Sequence, residues 1–88
     1  KDKMFISGGE NIDPKEIEKV LRDFPAVMSA RVAPVKNFEF GARPVAFLKV
    51  KNKRKINKLI LRNYLAKHLP RFKNPDKFYL ESSFREIF

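Results

Sequence analysis

The chain contains no cysteine, so disulfide frameworks and zinc–thiolate sites are excluded. It contains one histidine, His68, with no metal-ligating partners near it in sequence, and no metal site is expected. With no thiol a Cys–His triad is excluded, and around the single histidine no Ser–His triad is recognisable in the sequence. Ser29, Ser82 and Ser83 lie in no nucleophile motif. No apolar run approaches the length needed to cross a bilayer, and no secretory signal opens the chain. No membrane span is expected, and a cytoplasmic location follows by default.

What is present suits one small domain. The 88 residues allow a single core with a modest stability margin, and 43% hydrophobic content is not that of a disordered chain. The formal net charge is +10. The excess is local: between Lys49 and Lys77 there are eleven Lys or Arg and one acid, Asp76. A basic half of this kind serves nucleic acid, an acidic membrane surface or a polyphosphate ligand, or is simply a solvated lysine-rich face.

Residues 3–7 read as a short strand, Gly8–Gly9 as a tight turn with positive φ, and Asn11–Ile12 as the return of a small hairpin. Asp13 then caps a helix with Pro14 at its first position and Glu16 at capping-box spacing. Ile17, Val20, Leu21 and Phe24 form its apolar stripe, Glu18 and Arg22 are placed to pair on the outside, and Pro25 ends it. Residues 27–35 and 44–50 read as strands. In the second, Ala46, Leu48 and Val50 alternate with Val45, Phe47 and Lys49, and the apolar residues on both faces predict a sheet covered on both sides near its middle. A second helix is predicted from about residue 55 to 68, with Ile56, Leu59, Ile60 and Tyr64 on its stripe, followed by a last strand near residues 77–80. The fold class is α+β: a small domain with a β-hairpin and a short mixed sheet packed with two main helices.

Three constellations bear on chemistry. Glu10, Asp13, Glu16 and Glu18 cluster early, but helix capping and surface pairing account for them. The Gly8–Gly9 turn matches neither G-x-x-x-x-G-K-[ST] nor a dinucleotide fingerprint. In "RFKNPDK", Phe72 is set among Arg71, Lys73 and Lys77 beside the stiffening Pro75. The ring there either stacks a purine while cations hold phosphate, or anchors the core after the helix.

Taken together, "KDKMFISGGENIDPKEIEKVL" resembles the opening of the small C-terminal domain of the AMP-forming acyl-CoA synthetases, the adenylate-forming superfamily. The matching residues are Asp2, Gly8, Gly9, Glu10, Asn11, Ile12, Pro14, Glu16, Ile17 and Glu18. "HLPRFKNP" resembles the family's stretch before its last strand, so the likeness runs along nearly the whole chain. "EFGARPVAFLKV" resembles the o-succinylbenzoate–CoA ligase branch, which serves menaquinone synthesis.

The resemblance implies that residues 1–88 form the mobile C-terminal domain of such a ligase, a fragment without its N-terminal domain. That absent domain is the implied partner and holds ATP and the acyl substrate. ATP, Mg and CoA enter as substrates, with no tightly bound cofactor. The small domain rotates between acyl-adenylate formation and thioester formation. Asp2 matches the hinge. Gly8 and Gly9 are implied to line the pantetheine passage. Phe72 is implied to lie near the CoA adenine with Phe40 close by. The family's basic residue at the CoA phosphates falls at Asn74 here, a departure from the pattern, which leaves Lys73 or Arg71 to supply the charge. The family's adenylation lysine is expected just after Phe88, so no catalytic residue is expected within the 88 residues and the fragment alone is expected to be inactive. The alternatives are a CoA ligase for another aryl or fatty acid, or an independent basic module binding RNA or an acidic protein. The ligase reading involves no nucleic acid.

Overall fold

Asp13 begins the first helix as its side chain predicts. A computed structural model describes residues 3–51 and 56–88. In it the Asp13 carboxylate accepts from the Lys15 backbone N–H at 3.0 Å, with Pro14 opening helix α1 (Pro14–Arg22). Ile17 and Leu21 are wholly buried, with Phe24 nearly so and Val20 packed beside them. The capping box does not close, because the Glu16 carboxylate takes the Lys73 ammonium at 2.8 Å instead of turning back to Asp13.

Glu18 corrects the expected surface pair with Arg22. It is buried, and its carboxylate accepts the Val32 backbone N–H at 2.9 Å. The reason lies in the sheet. Strand β3 (Val27–Asn37) pairs antiparallel with β4 (Gly41–Val50), and β4 pairs parallel with β5 (Phe78–Leu80), in the order β3-β4-β5. β3 is therefore an edge strand, with backbone donors that the β3–β4 ladder does not use. Glu18 lies between Ile17 and Leu21 on the side of α1 that faces this edge, and it satisfies one of those donors. On the outer side of α1, Lys19 and Asp23 pair at 4.0 Å, both well exposed, and contribute little.

A parallel return from β4 to β5 needs a crossover, and helix α2 (Lys58–His68) supplies it. The predicted start near residue 55 falls among residues 52–55, outside the described residues. The described helix starts at the Asn57 cap, whose side-chain oxygen accepts the Ile60 N–H at 3.0 Å. Its buried face differs from the predicted stripe. Leu61 and Leu65 are fully buried and Ile56 nearly so, whereas Leu59 is 68% and Ile60 59% exposed. Leu61, Leu65 and Leu69 follow one another at four-residue spacing, with Tyr64 beside them, so the stripe that packs begins one residue after Ile60. The Tyr64 hydroxyl donates to the Val20 carbonyl at 2.8 Å, which ties α2 to α1. Burial, and then the nearby Asp23 carboxylate, push the Tyr64 phenol above its ordinary pKa.

The sheet is covered on both faces near its middle, as the two-sided apolar pattern of β4 predicts. Ala46 and Leu48 belong to the core under the helices. On the other face Val45 is buried, and Phe47 stacks on Tyr79 at 5.4 Å and meets the edge of Phe84 at 5.5 Å. After β5 the chain reverses and runs back along it, with Leu80 N–H to Arg85 O at 2.7 Å and Ile87 N–H to Phe78 O at 2.9 Å. A separate two-stranded hairpin, β1 (Phe5–Ser7) and β2 (Glu10–Ile12), completes the α+β domain.

The corrected stripe on α2 is testable by truncation. Leu61→Ala is expected to cost about 2–5 kcal/mol of unfolding free energy, and Leu59→Ala to stay within about 0.5 kcal/mol. Urea denaturation of the two variants measures both; the opposite ranking would restore the Leu59–Ile60 stripe.

Candidate functional site

The two glycines of the first hairpin do different things. Both have positive φ, +54° at Gly8 and +85° at Gly9, as a two-residue turn between paired strands demands. A Cβ at Gly8 would lie 2.8 Å from Cδ1 of Phe40, whereas one at Gly9 would meet nothing within 4 Å. The Gly8 N–H also donates to the Phe40 carbonyl at 2.9 Å. The tip of the first hairpin thus rests on the tip of the second. That second tip is shaped by Asn37, whose side-chain oxygen accepts the Glu39 and Phe40 N–H groups at 2.9 and 2.8 Å, and by Gly41 at φ +84°. Phe38 projects fully into solvent and Phe40 is about half exposed.

Arg43, two residues into β4 from Gly41, joins these tips to the "RFKNPD" loop. Its Nη1 donates to Ser7 Oγ at 3.1 Å and to the Phe72 carbonyl at 2.8 Å. Nη2 donates to the Asn74 carbonyl at 3.0 Å and to Asp76 Oδ1 at 2.9 Å, and Nε to the same Asp76 oxygen at 3.0 Å. The guanidinium carbon also stands 5.8 Å from the centre of the Phe40 ring. Gly8, Phe40 and the Phe72–Asn74 segment, nominated from separate stretches of sequence, therefore meet around one side chain. Sequence reasoning missed Arg43 itself. The available signal was a lone arginine entering a strand whose one other charged residue is Lys49.

The loop is held from its other sides as well. Phe72, in the one-turn 3₁₀ helix Arg71–Lys73, is partly buried against the core and partly open. Lys73 pairs with Glu16 at 2.8 Å, and its ammonium stands 5.7 Å from the Phe72 ring centre. The Asn74 amide donates to the Pro70 carbonyl at 2.9 Å, closing the turn. Arg62 of α2 donates to the carbonyls of Pro75 and Asp76 and lies 4.7 Å over the Phe78 ring. Burial pulls the Arg62 pKa down, opposed by the Asp76 charge. Arg71 is exposed, and although its carbonyl accepts the Asn74 N–H at 3.1 Å, its guanidinium has no hydrogen-bond or ion-pair partner among the described residues.

The candidate patch is a surface and not a cavity. A groove of about 730 Å³ lies between Leu48–Lys51 and Leu80–Ser82, and a second of about 320 Å³ lies beside β1 and β3; neither is lined by the candidate residues. Among the described residues no cluster of His, Asp or Glu could hold a metal ion, and no helix is long and apolar enough to cross a membrane. Asp2 lies outside the described residues.

Residues 16–84 match the family described as "AMP-binding enzyme C-terminal domain". The chain is 44% identical over 81 residues to the 2-succinylbenzoate–CoA ligase of Haemophilus influenzae, covering 89% of this chain and 18% of that protein. It superposes with a TM-score of 0.84 on the o-succinylbenzoate CoA synthetase of Bacillus subtilis bound to its product analogue OSB-NCoA, at 35% identity, covering 91% of this chain and 16% of that one. It also superposes, at 0.79 and 31% identity, on a fatty acyl CoA synthetase of Mycobacterium tuberculosis, covering 85% and 15%. The chain thus spans less than a fifth of the length of these relatives.

The unequal surroundings of the glycines predict unequal costs. Placing an L-residue in the left-handed region costs roughly 1–2 kcal/mol at either position. Gly8→Ala adds an overlap with the Phe40 ring, so urea denaturation should find it clearly less stable than Gly9→Ala. Equal costs would mean that the contact between the hairpin tips does not constrain Gly8.

Proposed function

Since the chain belongs to the family of AMP-binding enzyme C-terminal domains, we propose that it is the mobile C-terminal domain of an ATP-dependent, AMP-forming acyl-CoA ligase acting on o-succinylbenzoate in the cytoplasm. Its partner is the large N-terminal domain of the same enzyme. That domain holds the acyl group and ATP with its magnesium. In the first half-reaction the carboxylate attacks ATP and releases pyrophosphate. In the second, the CoA thiol attacks the acyl-adenylate and releases AMP. The small domain rotates about Asp2 between the two, and a lysine following Phe88 serves the first.

The observation that carries this reading is the meeting of the Gly8–Gly9 turn, Phe40 and the Phe72 loop around Arg43. In the thioester-forming state this face closes over the CoA channel. The bare side of Gly9, with open space where a Cβ would stand, lines the pantetheine passage. The open part of the Phe72 ring stacks near the adenine, with Phe40 close by. Lys73 and Asn74 flank the CoA phosphates. Lys73 is paired with Glu16 and the Asn74 amide is engaged within its own turn, so Arg71 supplies the uncommitted charge. The basic surface draws in the polyanion.

Two substitutions in the full-length ligase test the reading. Phe72→Ala should raise KM for CoA by roughly 1–3 kcal/mol equivalent, the worth of a stacked base, with acyl-adenylate formation much less affected. Thermal unfolding measured alongside separates stacking from packing: a large fall in Tm without a CoA defect would leave Phe72 as a core anchor. Asp2→Pro fixes φ at the hinge and should impair one half-reaction far more than the other. Equal loss of both, or none, would remove the hinge role.

A further inference from the structure

Arg43 is 13% exposed along its side chain, and a guanidinium has five N–H donors. All five are committed: one to Ser7, one each to the carbonyls of Phe72 and Asn74, and two to Asp76. No donor remains for a phosphate. Asp76 answers its charge at 2.9 Å. Arg43 is therefore unsuited to binding an anion, although it sits at the centre of the residues that would meet one.

We propose that Arg43 is the positioning residue for the thioester-forming half-reaction. Its planar fork sets the spacing between the glycine turn that lines the pantetheine passage and the loop that carries Phe72, without itself touching CoA. The inference rests on the reading of this face as the CoA surface. Lysine at this position keeps the charge but presents three donors from one nitrogen. It cannot hold Ser7, two loop carbonyls and Asp76 at once. Arg43→Lys consequently separates long-range attraction, which it retains, from geometry, which it loses.

The test compares Arg43→Lys and Phe72→Ala, singly and together, in the full-length ligase. KM for CoA and the rate of acyl-adenylate formation without CoA are measured separately, and thermal unfolding is recorded for each variant. Arg43→Lys is expected to raise KM for CoA roughly tenfold, as displaced binding groups do, and to change the adenylate rate far less. The double variant should rise by less than the product of the two single effects, because the ring that Arg43 places is already missing. A parent-like KM in Arg43→Lys beside a raised one in Phe72→Ala overturns the positioning role and leaves the CoA reading standing. So does a fully multiplicative double variant. A raised KM in Arg43→Lys with Phe72→Ala silent overturns it too, since Arg43 would then act on CoA directly. Silence in both single variants removes the CoA reading itself. Should Arg43→Lys fail to fold, Ser7→Ala decides, because it cuts only the link to the glycine turn: a smaller rise in KM supports the proposal, and a parent value overturns it.

Discussion

A guanidinium is rigid and planar, so it holds several segments together only if all of them reach it in one geometry. Arg43 imposes that condition on this fold. It rises from β4, which pairs with β3 on one side and β5 on the other and is the central strand of the sheet. From there it reaches the first hairpin through Ser7 and the loop after α2 through Phe72, Asn74 and Asp76. Desolvating a charge is costly unless it is paired and its donors are satisfied. Here an ion pair and three further acceptors meet that requirement. Breaking one partner therefore leaves the others bound to a side chain that no longer has its full set.

The loop at residues 70–76 is held from three directions. Arg43 takes it from the sheet, Arg62 from α2, and Glu16 of α1 takes Lys73. The cations around this loop thus divide into two kinds. Arg43, Arg62 and Lys73 are structural, each spent on carbonyls or carboxylates, while Arg71 stands exposed beside Phe72. Composition alone cannot make this division, because the charge count is the same either way. What decides it is which acceptors the fold delivers to each head group.

Much of the fold was legible where the signals are local. The Asp13–Pro14 start of α1, the glycine turn, the doubly apolar β4 and the short last strand all follow from residues within a few positions of one another. The failures have a common cause. Glu18 looked like a surface charge because its spacing to Arg22 is right, and only the edge of β3, fourteen residues on, gives it a reason to be buried. On α2, Ile60 and Leu61 are adjacent apolar residues, and periodicity does not say which of them faces inward; the start at the Asn57 cap decides it. Phe72 left two readings open, and the ring is in fact partly packed and partly open. At the site, resemblance names the segments, but the role of Arg43 follows only from the geometry that brings them together.

The central claim is that the turn and the loop form one mechanical unit through Arg43. Native-state amide exchange in rising urea tests it most directly. The Gly8 N–H, bonded to Phe40 O at 2.9 Å, and the Asp76 N–H, bonded to Pro44 O at 2.8 Å, report on segments nearly seventy residues apart in sequence. The account predicts that both amides exchange through an opening of the same free energy, and that lysine at position 43 lowers both together. A Gly8 amide that exchanges through its own low-energy opening, indifferent to residue 43, would contradict it.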